Sequence, residues 1–435
     1  MLNYSELEQI RTISTEQLQK NIKNPSFSII DVRPVDAYNG WKLQDEKRRG
    51  HIKGAKSLPL KWLDYMDWIE IIQTKKILSS QTIVLYGYDT DSSVKTANQF
   101  MRAGYNDVII YPYFMDEWNP DKTLPMHYLK RYHHLVSAHW LQELINTDHA
   151  PEFDNKDYVI CHAHYKNKAD YDQGHIPRAI NIDTNQLESP KTWNRRSSEE
   201  LRKTLEELGI CSETTVILYG RFSNPNNSDP FPGSSAGHLG AIRCAFLLLY
   251  AGVKDVRVLN GGMQSWIDAG FKTTKKTYEP QPIDDFGETI PVHPELAIDT
   301  QEAKEYLQAN DKNLISVRSW KEFIGEVSGY HYIQKKGRIP GAIFGNCGTD
   351  AYHMQNYRNL DHTTREYHEI ENIWEEVGIT PDKHNAFYCG TGWRASEAFF
   401  NAYLMGWPNI AVYDGGWFEW TNTGNPYETG IPSEK

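Results

Sequence analysis

Gly50-His51-Ile52-Lys53-Gly54-Ala55 returns as Gly174-His175-Ile176-Pro177-Arg178-Ala179 and again as Gly337-Arg338-Ile339-Pro340-Gly341-Ala342. Working outward, each copy follows a short apolar run that ends in a small or polar residue: Ile29-Ile-Asp-Val-Arg33, Tyr158-Val-Ile-Cys161 and Leu314-Ile-Ser-Val-Arg318. A second apolar run lies downstream of each, at 82–86, 215–219 and 386–388. A helical stretch then closes on Gly104, Gly252 or Gly406, where a helix C-terminus favours a residue tolerant of positive φ. A third run follows at 108–111, 256–259 and 410–413, and Trp118, Trp266 and Trp420 each stand fourteen residues past the glycine. Strand, helix and strand alternating at this distance predict α/β units, three in tandem, each a parallel sheet flanked by helices and therefore apolar on both faces.

The repeats place boundaries at 1–125, 126–285 and 286–435, with Glu279-Pro-Gln-Pro-Ile-Asp-Asp285 as the clearest linker. Ala138-His-Trp-Leu-Gln-Glu-Leu-Ile145 is apolar at helical spacing and opens the second unit. Copy two spans 32 residues from Gly220 to Gly252, against 17 in each of the other copies. The surplus, Phe222 to Ala236, has the composition of a loop.

Composition agrees with this organisation and removes several function classes. A chain of 435 residues fits three domains of about 150 each. It is 39% apolar, with 13 Trp and 26 Tyr, which is too much core-forming side chain for disorder. The 46 Lys+Arg against 57 Asp+Glu leave a net charge of −11, and no basic run exceeds Lys47-Arg48-Arg49, so nucleic acid is not the expected partner. The apolar run Ala245 to Ala251 is far too short to span a membrane. The opening Met1-Leu-Asn-Tyr-Ser-Glu6 lacks a basic region before an apolar stretch. The expected compartment is the cytoplasm as the sequence is written, or the periplasm if an export signal was removed from it. Five cysteines, at 161, 211, 244, 347 and 389, include no CxxC pair, which argues against a disulfide framework and a zinc ribbon.

The copies differ where the chemistry sits. Just after the second strand the three units carry Gly87, Gly220 and Cys389, so only the third has a nucleophile. Cys389-Gly390-Thr391-Gly392-Trp393-Arg394 puts that cysteine on a glycine-rich loop between a strand and a helix. Such a loop turns successive backbone N–H groups toward one point, and the helix N-terminus adds partial positive charge; both favour a thiolate. Arg394 is a second cation in the same loop, with a planar fork suited to an anionic substrate.

Strand-Asp-x-Arg, Gly-His-Ile-x-Gly-Ala, the Cys loop and the Asp414-Gly-Gly-Trp-Phe-Glu-Trp420 ending together resemble the rhodanese family of sulfurtransferases, in three copies over essentially the whole chain. The order inactive, inactive, active, together with Tyr38-Asn-Gly-Trp41, is similar to three-domain bacterial thiosulfate sulfurtransferases, which are exported. The resemblance implies a relay in which the Cys389 thiolate takes the outer sulfur of thiosulfate, sulfite leaves, and a persulfide hands its sulfur to cyanide, a thiol or a protein. It implies that Gly390, Thr391, Gly392, Trp393 and Arg394 cradle the sulfur, that Arg394 meets the substrate, and that Arg318 is mainly a structural tie with a lesser claim to substrate contact. Two departures stand out: Ser316-Val-Arg318 replaces Asp-x-Arg in copy three, and Glu322 occupies a position where thiosulfate-preferring two-domain relatives carry arginine. Cys-Gly-Thr-Gly also resembles the loop of mercaptopyruvate-using relatives, which makes 3-mercaptopyruvate the alternative donor.

Other features read as structure. Cys161-His-Ala-His164 starts at the strand-end slot of Asp31 and has no second ligand cluster at a metal-binding spacing, the remaining cysteines suit packing, and neither a metal nor a cofactor is expected. Gly415-Gly416 lacks a phosphate-loop context and reads as a turn, while Trp393 and Trp417 suit either a pocket wall or the core. A Cys-dependent phosphatase is the competing enzyme class; its loop holds five residues between Cys and Arg, whereas Gly390 to Trp393 are four. A binding scaffold is the non-enzymatic alternative. The two copies without an active-site cysteine are expected to shape the approach to Cys389 or to dock the acceptor.

Overall fold

The three apolar runs of each copy become the core of a sheet. The computed structural model describes residues 10–65, 67–222 and 236–432, so residues 223–235 of the insertion lie outside the described residues. The chain divides into two compact units, Met1–Tyr132 and His133–Lys435, the second holding copies two and three.

In the first unit the strands lie side by side in the order Arg11–Thr12, Val108–Ile110, Thr82–Tyr86, Phe27–Asp31 and Lys56–Ser57, all parallel. Copy two repeats that order with Leu135–Val136, Asp255–Leu259, Thr215–Tyr219, Tyr158–His164 and Ile180–Asp183. Copy three repeats it with Ala297–Ile298, Ile410–Tyr413, His384–Tyr388, Lys312–Ser316 and Ile343–Phe344. Parallel neighbours need crossovers, and helices such as Thr90–Arg102, Ala236–Ala251 and Trp393–Met405 supply them. Those helices end where glycine was expected, with φ of +88° at Gly104, +114° at Gly252 and +77° at Gly406.

Local chemistry starts the elements where the sequence placed them. Ser137 caps Ala138–Thr147 by accepting the Trp140 N–H. Trp118, Trp266 and Trp420 are buried in equivalent positions, anchoring the turn after each third strand.

The Gly-x-Ile-x-x-Ala repeat also has a physical reason. The tyrosine ending each second strand accepts the backbone N–H of the repeat's isoleucine: Ile52 on Tyr86 at 3.0 Å, Ile176 on Tyr219 at 2.9 Å and Ile339 on Tyr388 at 3.5 Å. In copies one and two the repeat's histidine stacks on a tyrosine, His51 on Tyr38 and His175 on Tyr171, with ring centroids 3.6 Å apart in both. Copy three replaces that stack with Arg338 over Phe323 at 5.3 Å.

Strand register corrects one sequence alignment. Asp31 pairs with Tyr86, His162 with Tyr219 and Ser316 with Tyr388, so His162, not Cys161, holds the position of Asp31. Copy two's strand, Tyr158–His164, runs on for two residues past this position, so Cys161 does not end it. Among the described residues no helix is long and apolar enough to cross a membrane, and no group of three His, Cys, Asp or Glu side chains is placed to hold a metal.

Candidate active site

Cys389 follows directly on the strand His384–Tyr388 and precedes the helix Trp393–Met405, with Gly392 at φ +93° making the turn between them. Its side chain is fully buried, as is Thr391 very nearly. The loop rests on a backbone clasp: Trp417 N–H donates to the Cys389 carbonyl at 2.8 Å and Phe418 N–H to the Gly390 carbonyl at 2.9 Å. Gly416 makes this approach possible. A methyl group there would stand 2.9 Å from the Cys389 oxygen and 3.0 Å from the Gly390 oxygen, and its φ is +54°. The Gly-Gly read as a simple turn is thus the support of the loop. Copy two retains the same clasp without a cysteine, with Met263 N–H on the Gly220 carbonyl at 2.9 Å.

Arg394 is turned inward. Expected to meet an anionic substrate, it is fully buried, with Nη1 and Nη2 each 2.9 Å from the two oxygens of Glu322. A guanidinium closed on a carboxylate in this bidentate fashion has both terminal nitrogens committed to loop architecture. Arg318 joins the cluster, with Nε on Glu322 at 3.2 Å, Nη1 on the Gly337 carbonyl at 2.6 Å, and its guanidinium 4.8 Å over the Trp417 ring. Trp417 is accordingly core. Burial works to raise the Glu322 carboxyl, but the Arg394 and Arg318 charges overcome it and hold it at about 2.

The sequence singled out Glu322 only as a departure, yet it repairs the missing Asp-x-Arg pair. In copy one Asp31 binds Arg33 from within its own strand, at 2.7 Å. In copy three the carboxylate comes from the next helix, where Ser319-x-x-Glu322 forms a capping box. That motif is visible in the sequence; its partners across the fold are not.

Aromatic rings stand over the loop. A methyl group on Gly390 would lie 2.6 Å from Tyr330 Cε2, and Tyr330 donates its hydroxyl hydrogen to the Ala351 carbonyl at 3.1 Å. Tyr330 also borders a cavity of about 620 Å³ lined by Ser319, Lys321, Ser328, Asp350 and Tyr352. Burial pushes the Tyr332 hydroxyl well above the ordinary tyrosine range, the Cys389 charge adds to this, and Arg394 and the Thr391 side chain oppose it. Burial raises the Tyr330 hydroxyl in the same way. Both hydroxyls are therefore neutral donors at physiological pH.

Copy two closes the site from behind. Its helix Ala236–Ala251 packs on Trp393–Met405, with Phe246 edge-on to Phe399 at 5.1 Å. Arg243, fully buried, donates Nε to Glu188 at 3.0 Å, lies 2.6 Å from Asp414 and donates to the Trp193 carbonyl at 2.8 Å. Trp393 donates its indole N–H to Glu188 at 2.9 Å. Burial pushes the Glu188 carboxyl up to about 7 despite Arg243. A methyl group on Gly392 would meet Arg243 Nη1 at 3.1 Å, so the cysteine loop is moulded against an arginine of the neighbouring copy.

A family model described as "Rhodanese-like domain" matches residues 14–121, 137–269 and 299–423. The chain belongs to the rhodanese family. This rhodanese is 38% identical over 431 residues to the thiosulfate sulfurtransferase YnjE of Escherichia coli, spanning 97% of this chain and 93% of that one. It is 31% identical to the sulfur carrier protein TtuD of Thermus thermophilus, over 69% of this chain and 96% of that one. Among solved structures it resembles wild-type EanB, with 57% identity, a TM-score of 0.94 and coverage of 98% of this chain and 99% of that chain. A second EanB structure, a cysteine persulfide with ergothioneine, matches at 57% identity and TM-score 0.94, over 97% of this chain and 100% of that chain. This rhodanese is a sulfur-transferring enzyme, with a sulfur donor and a sulfur acceptor as its partners.

Proposed function

We propose that Cys389 takes sulfane sulfur from a small anionic donor, thiosulfate, and passes it from a persulfide to an imidazole carbon of a hercynine-type betaine. One observation supports the acceptor above others. The solved EanB structures hold hercynine or ergothioneine and include substitutions of one tyrosine, one threonine and two cysteines besides the cysteine that carries the persulfide. Counted from that persulfide cysteine, the same separations in this chain run from Cys389 to Tyr330, to Thr391 and to Cys347, the remaining cysteine falling on Ser316. Tyr330 and Thr391 are the groups that pack on the Cys389 loop and beside Tyr332.

The chemistry balances without a cofactor. The Cys389 thiolate attacks the outer sulfur of thiosulfate, the S–S bond breaks, and sulfite leaves with the bonding pair. In the second half the imidazole carbon between the two nitrogens gives up its proton to solvent, and the thione's ring nitrogen carries one in the product. Its electron pair attacks the outer persulfide sulfur, and the S–S pair returns to Cys389 Sγ. The carbon is oxidised by two electrons and the sulfane sulfur reduced by two, so no outside oxidant is required. Cys389 Sγ is the leaving group, and the N-terminus of the helix Trp393–Met405 lies close in sequence to favour its negative charge. Arg394 and Arg318 act here as loop-shaping groups through Glu322 rather than as substrate ligands.

The test is to load the protein with thiosulfate, remove the donor, add hercynine and measure the thione by mass. One thione formed per persulfide consumed supports the reading. Sulfur passed to cyanide or a thiol, with none on the imidazole, keeps the sulfurtransferase and removes this acceptor; loading by 3-mercaptopyruvate alone changes the donor.

A further inference from the structure

Five aromatic side chains form a chain of contacts that leaves the cysteine loop at one residue and returns to it at another. Tyr330, whose ring lies against Gly390, stacks on Tyr332 with centroids 5.1 Å apart and 9° between planes. Tyr332 stacks on Trp193 at 4.6 Å and 24°. Trp193 donates its indole N–H to the Tyr165 hydroxyl at 3.2 Å, and Tyr165 stands edge-on to Trp393 at 5.5 Å and 89°. Trp393 is itself in the loop. All five residues are only half-buried, whereas Cys389 is fully buried. Two of the five, Tyr165 and Trp193, come from copy two.

Trp193 occupies this place under constraint. Its φ is +60°, a conformation that bulky L-residues rarely adopt. The loop around it holds it there: Trp193 N–H donates to the Ser189 carbonyl at 2.8 Å, Ser189 N–H to the Asn194 carbonyl at 2.8 Å, and Arg243 to the Trp193 carbonyl at 2.8 Å. Arg195 N–H then anchors the loop to Asp414 of copy three at 2.7 Å, and Asn194 donates to Glu419. A left-handed tryptophan that so many bonds over-determine marks a place where its side-chain position matters.

We propose that this aromatic collar binds a quaternary ammonium group of the acceptor, and that Trp193 is its specificity-determining residue. The proposal rests on the betaine reading above. Electron-rich ring faces attract a diffuse, weakly hydrated cation without a carboxylate partner. The loop's own arginine is fully buried and held by Glu322, its guanidinium 5.4 Å from the Tyr330 centroid. One collar ring already accepts a cation, Lys166 Nζ lying 4.8 Å from the Tyr165 centroid. Copy two, with Gly220 in place of an active-site cysteine, thus completes the acceptor site of copy three.

The test compares dissociation constants for hercynine and for histidine, which lacks the three methyl groups, by calorimetry on the full-length protein. Three forms are used: wild type, Trp193→Gly, which tolerates the positive φ, and Trp193→Phe. Wild type is expected to prefer hercynine by about tenfold or more. Trp193→Gly should bring the ratio close to one, and Trp193→Phe should restore most of it. A ratio near one in wild type, or one unmoved in Trp193→Gly, overturns the collar. Tight, Trp193-dependent binding of hercynine with no thione formed from the loaded enzyme would instead sustain the collar and remove the acceptor reading.

Discussion

Glu322 holds Arg394 by two parallel hydrogen bonds of 2.9 Å, and the same carboxylate takes Arg318 at 3.2 Å. One acid on the helix Trp320–Phe323 of copy three therefore ties the strand before it to the helix that follows Cys389. Two buried guanidinium groups depend on it, which makes it the electrostatic keystone of the loop.

Replacing it leaves both arginines uncompensated. Glu322→Gln should destabilise the His133–Lys435 unit by about 3–5 kcal/mol, because a buried charge without its partner costs far more than the pair contributes. Thermal unfolding of the full chain measures this. A shift no larger than that of an exposed control such as Glu305→Gln would contradict it.

The same carboxyl sets an acid limb. Its folded value of about 2 lies below the ordinary 4.5, so its stabilisation is complete above about 4.5 and is lost as pH falls toward 2. Over that window it amounts to about 3 kcal/mol. Glu188 has the opposite sign: raised to about 7, it favours the folded state below about 4.5 and loses that contribution as pH rises through 7. Denaturant titrations across pH should show Glu322→Gln flattening the acid limb and Glu188→Gln flattening the neutral one.

Gly416 is expected to be intolerant of a side chain. Gly416→Ala pushes a methyl to 2.9 Å from the Cys389 carbonyl in a left-handed backbone, displacing the nucleophile. Displacement on the order of 1 Å lowers sulfur loading about 100-fold. Gly262→Ala makes the equivalent clash with Gly220 in copy two, 2.7 Å from its oxygen, and should lower the melting temperature while loading persists. Equal effects of the two on loading rates would count against the clasp.

Arg243 joins copies two and three through Glu188 and Asp414. Arg243→Met leaves Glu188 with the Trp393 indole and Asp414 with Arg195 but removes the charge shared between them, and should cost about 3–5 kcal/mol. Arg243→Lys should recover only part of this, since an ammonium cannot reproduce the fork. Calorimetric unfolding of both variants checks the order.

Much of this was legible in the sequence, for identifiable reasons. The tandem parallel sheets, the glycine stops and the common register of Trp118, Trp266 and Trp420 followed from a threefold repeat whose periodicity survives divergence. Cys389 stood out because its column holds glycine in the other copies. Local motifs were legible, but pairings across the fold were not. Arg394 reads as a free cation until the fold brings Glu322 beneath it, 72 residues away in sequence. Trp193 carries no motif at all; only packing of copy two on copy three places it beside Tyr332. His162 rather than Cys161 takes the Asp31 position because copy two's strand continues through Cys161-His-Ala-His164, so its first polar residue does not mark its end.

The most direct test of the persulfide relay is the intact mass of the protein after thiosulfate, compared among wild type, Cys389→Ser and Cys347→Ser. The account predicts one added sulfur atom in wild type and Cys347→Ser, none in Cys389→Ser, and loss of the added mass when acceptor is supplied. An added sulfur that persists in Cys389→Ser would place the chemistry on another residue and contradict the central claim.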